Sequence, residues 1–183
     1  MAYTVATVIG SLRKDSFTRK LTEAMEPLAP KDMKFVDVKI GDLPLFNQDN
    51  EGHPTAAVTA FKTAIEKADA VLFATPEYNR SVPGALKNAL DVGSRPYGKS
   101  AWNGKPAAIL SVSPGGFGGF GANHHLRQTL AFLNMHVLAQ PEAYISNAAA
   151  LLDDKGGLAK QDTKEFFGQF LQNFDALIKR YVK

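Results

Sequence analysis

The chain has 183 residues, 45% of them hydrophobic and 21% charged, the balance of an ordinary water-soluble protein large enough for one hydrophobic core. Its net charge of +3 comes from scattered lysines and arginines without a basic block, which argues against nucleic acid as a partner and suits small anions such as nucleotides. There is no cysteine, so disulfides, thiolate metal sites and thiol nucleophiles are excluded, and any redox activity must come from a bound cofactor.

No stretch approaches the ~20 apolar residues of a membrane span, and Met1-Ala2-Tyr3-Thr4 lacks the charged-then-apolar layout of a secretory leader. The expectation is a cytoplasmic protein with no membrane partner. Short β-rich runs alternate with helix-period segments from residue 1 to 183, without a repeat or linker, as in one α/β domain with a mainly parallel sheet. A first strand over Tyr3 to Ile9 leads to a helix from Phe17 to Leu28, with Phe17, Leu21, Ala24, Met25 and Leu28 on one face. Phe35 to Ile40 forms a second strand, whose strict alternation marks an edge with one wet face. Val58, Phe61, Ile65 and Ala68 define the next helix, and Ala70 to Ala74 a strand buried on both faces.

The third helix starts near Pro83, a residue favoured at the first helical position, and carries Leu86 and Leu90. Ala107 to Val112 is another apolar strand, followed by a helix striped by Leu126, Leu130 and Leu133. A short last strand lies within 136–145. Asp162 and Glu165 stand at capping-box spacing before a helix that carries Phe167, Phe170, Leu171, Phe174, Ile178 and Tyr181 on one face. Five strands and five helices in alternation fit either a flavodoxin-like or a small Rossmann sheet. The alternating second strand belongs at an edge, as in the order 2-1-3-4-5, which favours the flavodoxin-like three-layer sandwich with a five-stranded parallel sheet.

In that order, ligands bind beyond the carboxyl ends of strands one, three and four. The first such loop, Gly10 to Ser16, opens a helix, where backbone N–H groups and the dipole favour an anion. Ser11, Ser16 and Thr18 add hydroxyls and Arg13 a charge-assisted donor. A plain strand-to-helix turn with Ser16 as cap accounts for these residues equally well. The second loop, Thr75 to Gly84, is stiffened by Pro76 and Pro83 and offers main-chain amides at fixed positions for a flat heterocycle. Within it, Tyr78 has packing as its alternative role. The third, Ser113 to Gly121, is glycine-rich enough to let backbone approach a ligand, or else is a flexible turn.

Two motif matches mislead. Gly93 to Ser100 satisfies the Walker A pattern, but it leaves a helix and precedes a strand, the reverse of a working P-loop, and Pro96 removes an N–H from the cradle. Gly116, Gly118 and Gly121 spell G-x-G-x-x-G at the fourth strand, whereas the dinucleotide fingerprint sits in the first strand-to-helix turn. His124 and His125 are adjacent and diverge on a helix, which favours a surface or interface role over metal binding. No metal site is expected.

Several segments in order resemble the NADPH-dependent FMN reductase family, which includes quinone, azo-dye and chromate reductases. They are Gly10 to Thr18, Leu43 to Asp49, Thr75 to Asn79 with Ser81 to Gly84, Leu86 to Asp91, and His125 to Gln128. The resemblance runs to about Tyr144. It implies a flavodoxin-like homo-oligomer, dimer or tetramer, holding FMN near the subunit interface. Ser11, Arg13, Ser16 and Thr18 would then bind the FMN phosphate. Pro76, Glu77, Tyr78, Asn79 and Ser81 would line the isoalloxazine, with Ser113, Gly115 and Gly116 along its other edge. Two residues depart from the family pattern: Thr18 stands where Asn is usual, and Arg80 where many members carry Tyr, an arginine positioned to meet an NADPH phosphate. Arg127 and the helix from Pro83 are candidates for the contact between subunits.

The implied activity is ping-pong transfer of reducing equivalents from NADPH or NADH through FMN to a small acceptor such as a quinone, free flavin, an azo compound or a metal oxyanion. No side chain needs to act as a dedicated acid or base in the first half. The alternatives are a flavodoxin-type electron carrier, against which the basic charge argues, and a small Rossmann dehydrogenase.

Overall fold

The computed structural model describes residues 2–182. Its sheet comprises β1 (Tyr3–Ile9), β2 (Met33–Asp37), β3 (Ala70–Pro76), β4 (Pro106–Val112), β5 (His136–Val137) and β6 (Ala143–Ile145). The helices are α1 (Phe17–Met25), α2 (Ala56–Lys67), α3 (Gly84–Gly93), α4 (Phe120–Phe132) and α5 (Gln161–Tyr181). All ladders are parallel and run in the order β2-β1-β3-β4-β5, with β6 pairing β4 as well. This is the flavodoxin-like order, and it excludes the Rossmann arrangement.

The period-2 pattern of the strands sorts the core into two layers. Val5 and Ile9 of β1, Leu72 and Ala74 of β3, and Leu110 and Val112 of β4 face α1 and α5. Ala6, Val8, Val71, Phe73, Ala107 and Ile109 point the other way, against α2, α3 and α4. The long α5 lays Phe167, Phe170, Leu171, Phe174 and Ile178 on the first layer at 0–1% exposure. Each such side chain contributes about 2 kcal/mol of burial free energy. Trp102 fills the second layer between Phe61 and Phe73 and donates its indole N–H to Leu90 C=O at 3.0 Å.

Five local expectations are corrected. α1 stops at Met25, and Glu26–Leu28 is a 3-10 turn, because Pro27 has no N–H for the α-helical ladder. β2 is the expected edge strand but occupies Met33–Asp37. Val38 N–H still bonds Thr7 C=O at 2.9 Å before the chain leaves the sheet, and Val38 and Ile40 bury against the second layer. Pro83 is the cap of α3 rather than its first residue. The capping box at Asp162 and Glu165 does not form: α5 is capped by Lys160 without a side-chain bond, and Asp162 lies inside the first turn, where its charge meets the helix dipole. The last strand is split, β5 and β6 flanking a segment in which Leu138 N–H bonds Ala107 C=O at 2.8 Å.

Candidate functional site

The loops after β1, β3 and β4 leave three neighbouring strands at one end of the sheet. Register Pro76↔Val112 ends β3 and β4 side by side, β1 ends at Ile9 opposite Ala74, and Gly10 N–H bonds Ala74 C=O at 2.8 Å. The sheet therefore brings together the segments singled out in the sequence.

In the first loop, Ser16 caps α1, its hydroxyl accepting Arg19 N–H at 3.2 Å. The first intrahelical bond runs from Lys20 N–H to Ser16 C=O, so the amides of Phe17 and Thr18 precede the ladder. Ser11, Ser16 and Thr18 are buried and Arg13 is exposed, its guanidinium 5.9 Å from the Phe17 ring centre. Arg13 N–H leans toward Ser11 Oγ at 3.4 Å. Thr18, at 2% exposure, is as buried as Ser16 at 3%.

The second loop is a tight turn. Tyr78 and Ser81 exchange N–H···O=C bonds at 3.0 Å each, around Asn79 (φ 51°) and Arg80 (φ 65°). Two successive positive φ values define the type I′ geometry. Tyr78, Asn79 and Arg80 are exposed, and Pro76, Glu77 and Ser81 half-buried. The Arg80 guanidinium stands 5.0 Å over the Phe117 ring and 3.5 Å from Glu77, bridging the second loop to the third.

In the third loop, Ser113 is half-buried and its hydroxyl accepts Gly115 N–H at 3.1 Å, while Gly115 and Gly116 are exposed. The later glycines have a structural reason. A Cβ on Gly118 would stand 2.6 Å from Tyr144 backbone, and one on Gly119 2.9 Å from Ser111 Cβ. The G-x-G-x-x-G match thus reflects close packing at the start of α4 as well as an open rim. The Walker-like segment has the context that disqualified it, following α3 and running into Trp102.

Sequence reasoning did not foresee the contacts that support these loops. Glu77 accepts Ala122 N–H at 3.0 Å, and His125 Nδ1 pairs with Ser81 Oγ at 2.9 Å. His124 Nε2 meets the Tyr144 hydroxyl at 2.9 Å, so the two histidines face different partners. Burial and a hydrogen bond with Glu142 raise the Tyr144 phenol, with Arg127 pulling the other way. Arg127 is spent within the chain, on Asn123 Oδ1 at 3.0 Å, Leu138 C=O at 3.1 Å and Glu142 at 3.4 Å. Asn88 pins the segment after β2, donating to Pro44 C=O at 2.9 Å and accepting Phe46 N–H at 2.8 Å. An apolar cavity of about 350 Å³ is lined by Pro44 and Phe46 of this segment with Val58, Val92 and Arg95, and by no residue of the loops after β1, β3 and β4. Among the described residues, no group of three or more His, Asp or Glu could hold a metal ion, and no helix is long and apolar enough to cross a membrane.

The donors suit a phosphorylated planar cofactor: hydroxyls, free helix amides and a cation in one loop, and a rigid turn with an open glycine rim beside it. With the 2-1-3-4-5 sheet, they define a flavodoxin-like flavin-dependent oxidoreductase. Residues 3–150 match the family model described as NADPH-dependent FMN reductase, and the chain belongs to that family. It is similar to a quinone reductase of Pseudomonas putida, with 55% identity over 97% of this chain and 95% of the relative. A 2-hydroxy-1,4-benzoquinone reductase of a Burkholderia species is 44% identical over 98% of both chains. Among solved structures, the flavoenzyme NAD(P)H:(acceptor) oxidoreductase FerB of Paracoccus denitrificans superimposes with a TM-score of 0.93 at 40% identity, covering 98% of this chain and 99% of that one. The protein is thus an oxidoreductase that uses FMN with NAD(P)H as electron donor.

Proposed function

We propose that the chain is an NAD(P)H-dependent quinone reductase whose FMN is held by the three loops. The observation that carries this reading is the convergence of the loops after β1, β3 and β4 at one end of the sheet, a helix-opening loop beside a rigid turn. The printed activities of the relatives, quinone and benzoquinone reduction, support a quinone as acceptor. Ser11, Ser16, Thr18 and the first amides of α1 hold the phosphate, with Arg13 supplying charge. Pro76, Glu77, Tyr78, Asn79 and Ser81 line the ring on one side, and Ser113, Gly115 and Gly116 border its other edge. When bound, FMN supplies the hydride chemistry that no side chain here offers. Arg80, exposed on the turn, is the cation for a phosphate of the dinucleotide.

A second copy of the chain is the proposed partner. Phe46, Tyr97 and Phe132 share one groove, and Phe132 is 84% exposed, an apolar patch that a dimer or tetramer would cover.

The test begins with an absorption spectrum of freshly purified protein. A flavin spectrum that NADPH bleaches without oxygen and benzoquinone restores is the expected result. Protein without flavin that takes up none from added FMN sinks the reading. Flavin that is bound but not reduced by NADPH or NADH indicates an electron carrier instead.

A further inference from the structure

We propose that Glu77 is a positioning residue: its carboxylate fastens the Tyr78–Ser81 turn to the start of α4 and so fixes the main chain that faces the flavin ring. The proposal rests on the loop assignment above.

The turn needs an outside hold. Asn79 and Arg80 both lie in the left-handed region, at φ 51° and 65°. Asn tolerates that conformation, whereas the Cβ of Arg crowds the backbone there. Such residues persist where their surroundings over-determine them. Three contacts, spaced along the first turns of α4, do so here. Glu77 Oε2 accepts Ala122 N–H at 3.0 Å, Ser81 Oγ pairs with His125 Nδ1 at 2.9 Å, and Arg80 C=O rests against Gly121, where a Cβ would stand only 2.6 Å away.

Of the three, Glu77 combines charge, burial and adjacency to the turn. Its side chain is 12% exposed. Ala122 N–H is one of the helix-start amides with no intrahelical partner, and the dipole there favours an anion. The other carboxylate oxygen faces the Arg80 guanidinium at 3.5 Å, which in turn covers Phe117. One side chain thus holds the second loop to α4 and, through Arg80, to the third loop.

The experiment measures binding of FMN and riboflavin to flavin-stripped full-length protein, following the visible absorption of the bound ring. Riboflavin lacks the phosphate, so it reports the ring half of the site alone. Glu77→Ala is expected to weaken both ligands by roughly tenfold, the loss of one charge-assisted hydrogen bond, and to blur the fine structure of the bound band. Glu77→Gln keeps an acceptor for Ala122 N–H and recovers most of the affinity. If Glu77→Ala does not fold, Glu77→Asp, too short to reach Ala122, is expected to give the same losses in smaller measure. A folded Glu77→Ala protein that binds riboflavin with wild-type affinity and band shape overturns the proposal, as does an unaltered Glu77→Asp. Arg13→Ala is the control for the loop assignment, expected to weaken FMN and spare riboflavin. If it spares both, the phosphate assignment fails independently of the Glu77 result.

Discussion

Ser16 shows how one residue serves folding and binding together. Its hydroxyl caps α1 through Arg19 N–H, and it stands where the phosphate is proposed to sit. Ser16→Ala is expected to lower stability by about 1 kcal/mol, read as a small fall in melting temperature, and to weaken FMN beyond what that loss explains. Differential scanning calorimetry with and without FMN separates the two effects. This role was legible in the sequence because all its parts lie within a few residues: strand, loop, capping hydroxyl, helix. Glu77 was not legible in the same way. Its partner Ala122 is 45 positions away and is a backbone amide, which leaves no trace in side-chain pattern. Gly121 stood out only as part of a misleading motif, although contact with Arg80 C=O accounts for it.

At the level of elements, α1 and β2 are joined by charge as well as by packing. Burial opposes the charged form of Asp37, yet hydrogen bonds from Lys39 and Arg19 outweigh it and hold the carboxyl below its ordinary range. A depressed folded-state value stabilises the protein above the unfolded value, about 4, and that contribution is lost as pH falls through the folded one. Asp37→Asn is therefore expected to melt at lower temperature than the parent at neutral pH, and the gap should close in acid. A gap that persists unchanged at low pH would contradict the ion-pair account. The strand boundaries that sequence reasoning missed share a cause, since each was decided by pairing with distant chain. β2 ended where the chain left β1 past Asp37, short of the end of β1 at Ile9, and the last strand broke where β4 took two separate partners. Only the end of α1 was written locally, in Pro27.

For the whole molecule, the strand order was readable because one alternating strand marked the edge, and hydrophobic pattern dictates which strands are wet on one face. A homo-oligomer was expected from the family resemblance, but the Phe132 face was not readable, since an apolar side chain on a helix looks the same whether it meets the core or a second chain. Phe132→Asp is expected to lower the oligomeric state in sedimentation velocity while leaving the helical circular dichroism intact. An unchanged sedimentation coefficient would remove that face from the interface. Saturating FMN should raise the melting temperature, because a ligand at about 100 times its Kd adds roughly 2.7 kcal/mol to the folded state. Trp102, the sole tryptophan, lies wholly in the layer against α2, α3 and α4. Its emission therefore reports on one half of the core and is blind to the half that α1 and α5 cover. Chemical denaturation followed by tryptophan fluorescence and by far-ultraviolet dichroism asks whether the halves melt as one. Coincident midpoints mean that the sheet couples them fully, and an earlier dichroism transition would identify the α1 and α5 side as the first to go.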